Sequence, residues 1–386
     1  MAGNARLLGL AVVLFLSAAS PAAARTQACA SGPLIQHWNG TGWTQVASPG
    51  GDALKAVAAL SSSDVWALGV PMSRPFAQRW DGSAWQPVAM SRPVHWPGLT
   101  ADISAPAAID VWALVGRAVE HWDGSAWSLV PARLYGELSG IAALSPTNVW
   151  TVGIAEFADS GKRFRQQNTL VLHWNGSVWK RVRSPNPAVA NPPGSRDQNG
   201  LYDVAAASPQ SVWAVGEYYL HAKSGRHSWQ PLVLHWNGKT WKVVPSASPG
   251  GVGHPASLDG VAVAGPNDVW AVGEYGIGDN VKRVLVEHWD GRRWSVVPAP
   301  SGYAFSSDQA LSDLSVVAPD DIWASGYVLT DNASDIFYQG LVEHWDGSAW
   351  TVVPSLHQWD NGDSIGGIAA TSSDDVWAVG GWATCS

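Results

Sequence analysis

Two glutamates, Glu217 and Glu274, follow a Val-Gly pair at the same place in successive repeats of this chain. Two carboxyls on neighbouring elements are what cleavage of a glycosidic bond requires. One protonates the leaving oxygen, and the other activates water or attacks the sugar. Solvated loop carboxylates would look the same in a sequence, and no third group completes a constellation around this pair. A second pattern consists of Asp102, Asp203 and Asp313, each at the third position of an apolar segment whose counterparts carry Ala or Gly. Gathered about an axis, they could supply some of the six to eight oxygens that Ca2+ takes. Each could equally accept backbone N–H bonds from its neighbour, and on that simpler reading no metal or other cofactor is expected. The third set is aromatic. Trp96, Trp229, Trp359 and Trp382 lie outside every repeated motif, and Tyr218 and Tyr275 lie beside the same segments. Exposed rings of this kind stack on the apolar faces of pyranoses; buried, they would cap a core.

What must position these groups is a sevenfold repeat. Each copy carries a tripeptide ending in Trp, as in Asp64-Val65-Trp66 or Asp321-Ile322-Trp323. It also carries a His/Arg-Trp-Asn/Asp-Gly run with a further Trp shortly after, as in His344-Trp345-Asp346-Gly347 leading to Trp350. A period of roughly 40 to 60 residues belongs to propeller blades. One unit reads as four antiparallel strands: a small-residue inner strand (Leu311 to Val317), a Trp strand, a His-Trp strand and an outer strand. Seven such units predict an all-β, seven-bladed propeller. Asp346-Gly347 reads as a two-residue hairpin turn, which would pair Trp345 with Ser348 and Trp350 with Glu343 and put both indoles on one face. The motif tryptophans are then expected between blades, and the motif histidines are expected to tie strands together.

The ends make one blade between them. The chain begins with a His-Trp strand and an outer strand and ends with an inner strand and a Trp strand, so the ring should close two strands plus two. The cysteines, Cys29 and Cys385, flank this junction, where every other blade has a covalent loop, and a disulfide is expected there. Arg6, the apolar stretch from Leu7 to Leu16 and Ala22-Ala23-Ala24 form a secretory signal, residues 1–24. This leaves 25–386 as a single exported domain in a compartment that permits the bond. No later segment is long and apolar enough to span a membrane. The formal charge of -8 and the absence of a basic cluster argue against nucleic acid.

Turns from inner strand to Trp strand and from His-Trp strand to outer strand share one face, and they are short and nearly identical. The opposite face carries the variable connections, 155–168, 183–200, 217–230, 246–257 and 327–339, and a variable face over a constant scaffold is the expected binding surface. A sialidase-like site would need arginines where the inner strands start; those starts are Leu54, Leu138, Leu201, Leu258, Leu311 and Ile365.

The Asp-Gly-Ser-Ala-Trp hairpins (81–85, 123–127 and 346–350) resemble the Asp-box of bacterial sialidase-like propellers, though they are shorter and lack its upstream Ser. The chain is similar more broadly to kelch-type propellers. It is most similar to bacterial exported proteins built from Val-Trp-Ala-Val-Gly and His-Trp-Asn-Gly repeats, often called galactose-oxidase-like. The resemblance implies the fold; propellers host many unrelated activities. The expected role is a monomeric, exported, non-catalytic scaffold, released or held at the cell surface, that binds a glycan or a surface protein through Trp96, Trp229, Trp359, Trp382, Tyr218 and Tyr275. The alternative is a glycoside hydrolase or lyase using Glu217 and Glu274.

Overall fold

The computed structural model describes residues 29–69, 75–91, 100–132, 136–157, 166–190, 198–221, 227–251, 253–277, 281–300, 308–332, 335–356 and 362–385. Twenty-eight strands form seven four-stranded antiparallel sheets. In chain order the blades are Leu54–Val88, Ala101–Leu129, Glu137–Arg181, Asn199–Val243, Ala256–Val296 and Asp308–Val352. The seventh joins Asp363–Cys385 to Cys29–Gln45. In it the second strand runs antiparallel to the first strand of the chain over ten residue pairs, from Cys29↔Cys385 to Trp38↔Val376. The two cysteines therefore stand directly opposite one another in the backbone register. No helix among the described residues is long and apolar enough to cross a membrane.

One contact builds every blade interface. The second-strand Trp of each blade meets the tryptophan pair of the next: Trp66 against Trp122 and Trp127, Trp112 against Trp174 and Trp179, and so on to Trp377 against Trp80 and Trp85. In all seven the outer-strand indole stands edge-on, at 71 to 89° with centroids 5.4 to 6.3 Å apart. Such pairs add about 0.5–1.5 kcal/mol each beyond area burial.

On its other side, each of six second-strand indoles stacks on a motif histidine, centroids 4.1 to 4.4 Å apart. The histidine Nε2 in turn bonds the residue that opens the tripeptide: Asp375, Asp110, Asn148, Ser211, Asp268 or Asp321. Where that residue is Asp, the same Oδ1 also accepts the indole N–H (Trp112, Trp270, Trp323, Trp377). In blade one, Arg79 replaces His, holds Asp64 with two bonds and lies 5.0 Å from the Trp66 ring centroid.

The structure corrects two expectations. The hairpin before each outer strand pairs Trp345 with Trp350, not with Ser348, so the connection has four residues. The reason is the Asp346 carboxylate, whose Oδ1 accepts the N–H groups of Ser348 and Ala349 and the Ser348 hydroxyl, while Asp346 N–H donates to Ala349. An aspartate that satisfies two backbone donors makes a wider turn than Asp-Gly alone, with Gly347 at φ 87°. The face assignment survives, because directly opposed residues share a face. Second, the described parts of 155–168, 217–230 and 327–339 are not loop. The middle hairpins continue as paired strands to Phe157↔Gln166, His221↔His227 and Asn332↔Asp335.

The glycine of the Val-Trp-Ala-Val-Gly repeat has a structural consequence. Three residues after the motif Trp, six blades carry glycine: Gly69, Gly153, Gly216, Gly273, Gly326 and Gly380. A Cβ at the last five would fall 1.7 to 2.1 Å from an inner-strand carbonyl oxygen. The close approach accompanies a bulge in the inner strand that leaves one residue unpaired: Lys55, Ser139, Tyr202, Asp259, Ser312 or Gly366. Blade two has Val115 instead, and there the pairing runs on from Ala101↔Val115 to Asp102↔Leu114 without a bulge. A bulge re-aims a side chain, and all six unpaired residues line the cavity on the ring axis, about 400 Å³ in volume.

Among the described residues, the buried indole N–H groups of Trp66, Trp150 and Trp213 meet no acceptor: Asp64 is held by Arg79, Asn148 Oδ1 by His173 and the Ser211 hydroxyl by His235. Ser211→Asp should supply the acceptor for Trp213 and His235 together. A gain of about 1 kcal/mol is expected, read as a rise in the thermal midpoint.

Candidate functional site

Blades three to six raise their middle hairpins on the variable face and blade seven raises its paired chain ends there, whereas the second and third strands of blades one and two have only five or six residues. Blade two turns back at Gly116, with Val115 paired to Ala118. At about 3.4 Å per residue, the blade-six hairpin rises roughly 20 Å beyond Gly326. The variable face is thus walled on one side and low on the other.

Within the wall, blades four to six bring six polar side chains to the mouth of the axial cavity. From blade four, the Tyr202 hydroxyl, re-aimed by the inner-strand bulge, donates to Glu217 Oε1 at 2.5 Å. From blade five come Asp259, likewise at a bulge, and Glu274, whose carboxylate meets Lys282 Nζ at 2.6 Å. Tyr327 of blade six donates to Glu274 at 3.4 Å. Asp308 anchors the Lys282 backbone N–H at 2.9 Å. Glu217 and Glu274 are thus brought into one cluster. Neither is a loop residue: each lies inside a paired strand, opposite Pro231 and Val284.

The cluster holds its protons tightly. Burial pushes Glu217 up to about 7, against the pull of the Tyr202 hydrogen bond, and the Glu274 charge adds to the rise. Asp259 is pushed up to about 8 by burial and then by Glu274 and Glu217. Tyr202 and Tyr327 are raised by burial and by the neighbouring carboxylates. Lys282 is itself held above its ordinary value: burial works against its charge, but the bond to Glu274 and the charges of Glu274, Asp308 and Asp259 together outweigh it.

Asp102, Asp203 and Asp313 also line the cavity. In each, one oxygen accepts the N–H of the next residue and the other an N–H of the following blade, at Ile141, Val261 and Ile368. The receiving blades have Gly140, Gly260 and Gly367 at the equivalent position, so Asp alternates with Gly around the ring. Burial raises Asp102 to about 7, Asp313 to about 6 and Asp203 well above its ordinary value. Their oxygens are engaged in holding blades together, and no group of three or more metal-ligating side chains with suitable geometry occurs among the described residues.

The aromatic candidates part company. Tyr218 packs on the hydrophobic cluster between blades three and four, and Tyr275 on the one between four and five. Trp229 stands edge-on to Tyr219, centroids 5.2 Å apart, on the raised blade-four hairpin. Trp382 pairs with Gly32 and lies over it, the ring 3.0 Å from where a Cβ would be. Trp96 and Trp359 fall outside the described residues. Sequence reasoning missed Tyr202, Asp259 and Lys282 as site residues. The signal that could have found the first two is the Val-Gly in the second strand, the mark of the inner-strand bulge.

Comparison with known proteins adds the fold and nothing finer. No family model matches the sequence, and no curated protein matches it. Among solved structures, the chain is similar to YCF48 from Cyanidioschyzon merolae (TM-score 0.50, 15% identity, covering 88% of this chain and 98% of that one). It is also similar to a PL25 ulvan lyase, a polysaccharide lyase (TM-score 0.52, 12% identity, 85% and 92%). At such identities the likeness speaks to the propeller architecture alone.

The raised carboxyls set the sign of the pH dependence. Folded groups that bind protons more tightly than the unfolded chain stabilise it below the ordinary carboxylate range, and that contribution fades as pH rises through the folded values. For Glu217, Asp259 and the third-strand acids Glu287 and Glu343, at about 7, 8, 7 and 8, the fading spans the interval from the ordinary carboxylate range to about pH 8. Asp123 and Asp346 of the hairpin turns, lowered to about 2 by their serine and backbone bonds, act oppositely and only in stronger acid. The thermal midpoint should therefore be several degrees higher near pH 5 than near pH 8.5. Glu217→Gln should flatten that slope, which melting curves across the range would test.

Proposed function

We propose that this protein is an exported, non-catalytic binding scaffold that recognises a glycan or a cell-surface protein through its variable face. The observation that carries this reading is the asymmetry of the ring. One face is closed by short, near-identical turns, whereas the other raises four hairpins and the paired chain ends of blade seven, with a polar cluster at the cavity mouth. A scaffold constant everywhere except on one face is built for recognition. Trp229 and the half-exposed Tyr338, edge-on to Tyr327, offer ring surface on that face.

Export is part of the same reading, and with it a Cys29–Cys385 disulfide that gives blade seven the covalent link its sister blades have. In the chain-entropy model a closure over so long a loop contributes roughly 5 kcal/mol, less any strain. Non-reducing peptide mapping of the protein secreted by its host should recover the two cysteine peptides joined and a mature chain beginning near Arg25. Two separately alkylated cysteines would remove both the bond and the oxidising compartment.

A second reading has one observation in its favour: a carboxyl held protonated near neutrality, Glu217, in the same cluster as a carboxylate paired to a cation, Glu274. A buried carboxyl that keeps its proton beside a second carboxyl is one way in which acid and base roles are divided. Titrating the mature protein against immobilised cell-wall polysaccharides and surface-protein extracts, with products assayed in the same wells, separates the two. Retention without product is the expected result. Product formation abolished by Glu217→Gln would make the protein a glycoside hydrolase or lyase. Retention of nothing would set aside the scaffold.

A further inference from the structure

At four of the blade joints, the connection leaving an outer strand is held by a polar side chain of the next blade, two residues before its third-strand Trp. Gln36 of blade seven bonds both the carbonyl and the N–H of Leu356, and Gln78 of blade one bonds Ser48 and the Gly50 carbonyl. Glu120 of blade two accepts the Ser91 N–H. Glu287 of blade five accepts the Ser246 hydroxyl and the Ala247 N–H. Blades three and four place Leu172 and Leu234 there, both buried.

Blade six departs from both solutions. Its residue is Glu343. Ser246 and Ala247 are the fifth and sixth residues after Trp241; the same places after Trp294 are Ala299, which has no hydroxyl, and Pro300, which has no N–H. Glu343 is fully buried, and neither of its oxygens meets a donor. In register it is flanked by Ala324 and Val352, members of an apolar cluster that blade five completes with Val286, Val297 and Ala299. A second holding point on this joint is also idle. Asn199 and Asp363, two residues before the inner-strand Leu201 and Ile365, accept the N–H groups of Ala188 and Gly340. Gln309 has that place in blade six, opposite Val328 of the same cluster, and neither of its amide atoms meets a partner.

We infer that the joint between blades five and six is a pH-operated seam, closed while Glu343 is protonated and opened to water as it ionises. A carboxyl without a partner, where leucine fits in two sister blades, is tolerated neutral and is not tolerated charged. The other ionisable groups around the joint are engaged elsewhere. His288 bonds Asp268 and His344 bonds Asp321 toward the turns. Lys282 meets Glu274, with Tyr327 and Asp308, at the variable face, and Asp259 and Asp313 line the axial cavity. Burial alone raises Glu343, to about 8, so no neighbouring charge offsets its ionisation. A group raised in this way stabilises the closed joint below the ordinary glutamate range, and the contribution is lost as pH climbs to about 8. Tyr327 and Asp308 belong to blade six, and Glu274 and Lys282 to blade five. Opening therefore pulls the polar cluster at the cavity mouth apart, which couples pH to the variable face.

The test is hydrogen–deuterium exchange of the mature protein from about pH 6 to pH 9, read by mass spectrometry and corrected for the chemical exchange rate. Protection in Asp321–Asn332 and Asp335–Trp345 should fall about tenfold per unit between pH 6.5 and 7.5 and level off above 8. Asp110–Val115 and Asn148–Phe157 should hold theirs. Glu343→Leu and Glu343→Gln should abolish the fall, Ala299→Ser should reduce it by supplying the hydroxyl that Glu287 has, and Glu217→Gln should leave it in place. A fall that persists in both Glu343 variants, one spread evenly over all seven blades, or no fall at all overturns the seam. Melting curves establish that each variant is folded. Ala299→Ser keeps the acid, so it decides alone should neither Glu343 variant fold: an unchanged fall then overturns the seam.

Discussion

A ring of sheets leaves no blade face bare only if its last blade meets its first as every other pair meets, and one contact meets that condition here. The second-strand indole of each blade is clamped between a histidine on its own sheet (an arginine in blade one) and the edge of an indole on the next. The clamp fixes side-chain orientation because one aspartate oxygen holds both the histidine Nε2 and the indole N–H in four blades. Seven such contacts replace one continuous core by seven equivalent ones. That the seventh blade is assembled from both ends of the chain makes no difference to its indoles: Trp323 meets Trp38 and Trp43 as Trp270 meets Trp345 and Trp350.

Near the axis a different constraint holds. Inner strands crowd together, and neighbours interlock by alternating a carboxylate with a glycine: Asp102 reaching past Gly140, Asp203 past Gly260, Asp313 past Gly367. Seven is odd, so alternation must fail once, and it fails at Ala56 in blade one, between Gly367 and Asp102. One step outward, the second-strand glycines let inner-strand carbonyls approach to a distance no Cβ tolerates, and the bulge that results turns one residue per blade toward the cavity. Packing between blades does not dictate the identity of that residue. The scaffold therefore leaves an unconstrained position in six blades at the mouth of the cavity, where diversity costs the fold least.

How much of this could be read in the sequence depends on whether the signal repeats. The Trp and His motifs occur in every blade, and from them the strand order, the two-plus-two closure and the strand-tying histidines were legible. The hairpin register was not, because Asp346-Gly347 satisfies the rule for a two-residue turn as well as it begins a four-residue one. The deciding term is the pair of N–H groups captured by the Asp346 side chain. Raised hairpins such as 217–230 read as loops because Glu217, Tyr218, Tyr219 and His221 interrupt the apolar pattern, although the backbone there pairs as far as His221↔His227. The cluster at the mouth was half legible. Glu217 and Glu274 follow a repeated Val-Gly; the same glycine marks the bulges that carry Tyr202 and Asp259, but only once the inner-strand register is known, and Lys282 carries no pattern.

The same features place a polar site where it is least costly to the ring. Carboxyls held near neutrality in a folded chain diminish its stability as they ionise, and clusters that do so gather where chemistry or recognition needs them. Here the elements that hold Glu217 and Glu274 are the extensions of the second strands beyond Gly216 and Gly273, on the far side of the glycine from the clamped Trp213 and Trp270. Repulsion in the cluster therefore acts on hairpins and bulged residues, not on the blade interfaces. The tryptophan clamps lie toward the opposite face, where the turns are short and uniform, with Trp80, Trp174 and Trp236 donating to carbonyls of the inner-to-second-strand turns. Stability is concentrated at one end of each blade and variation at the other, so substitutions at the variable mouth can change what is recognised without loosening what closes the ring.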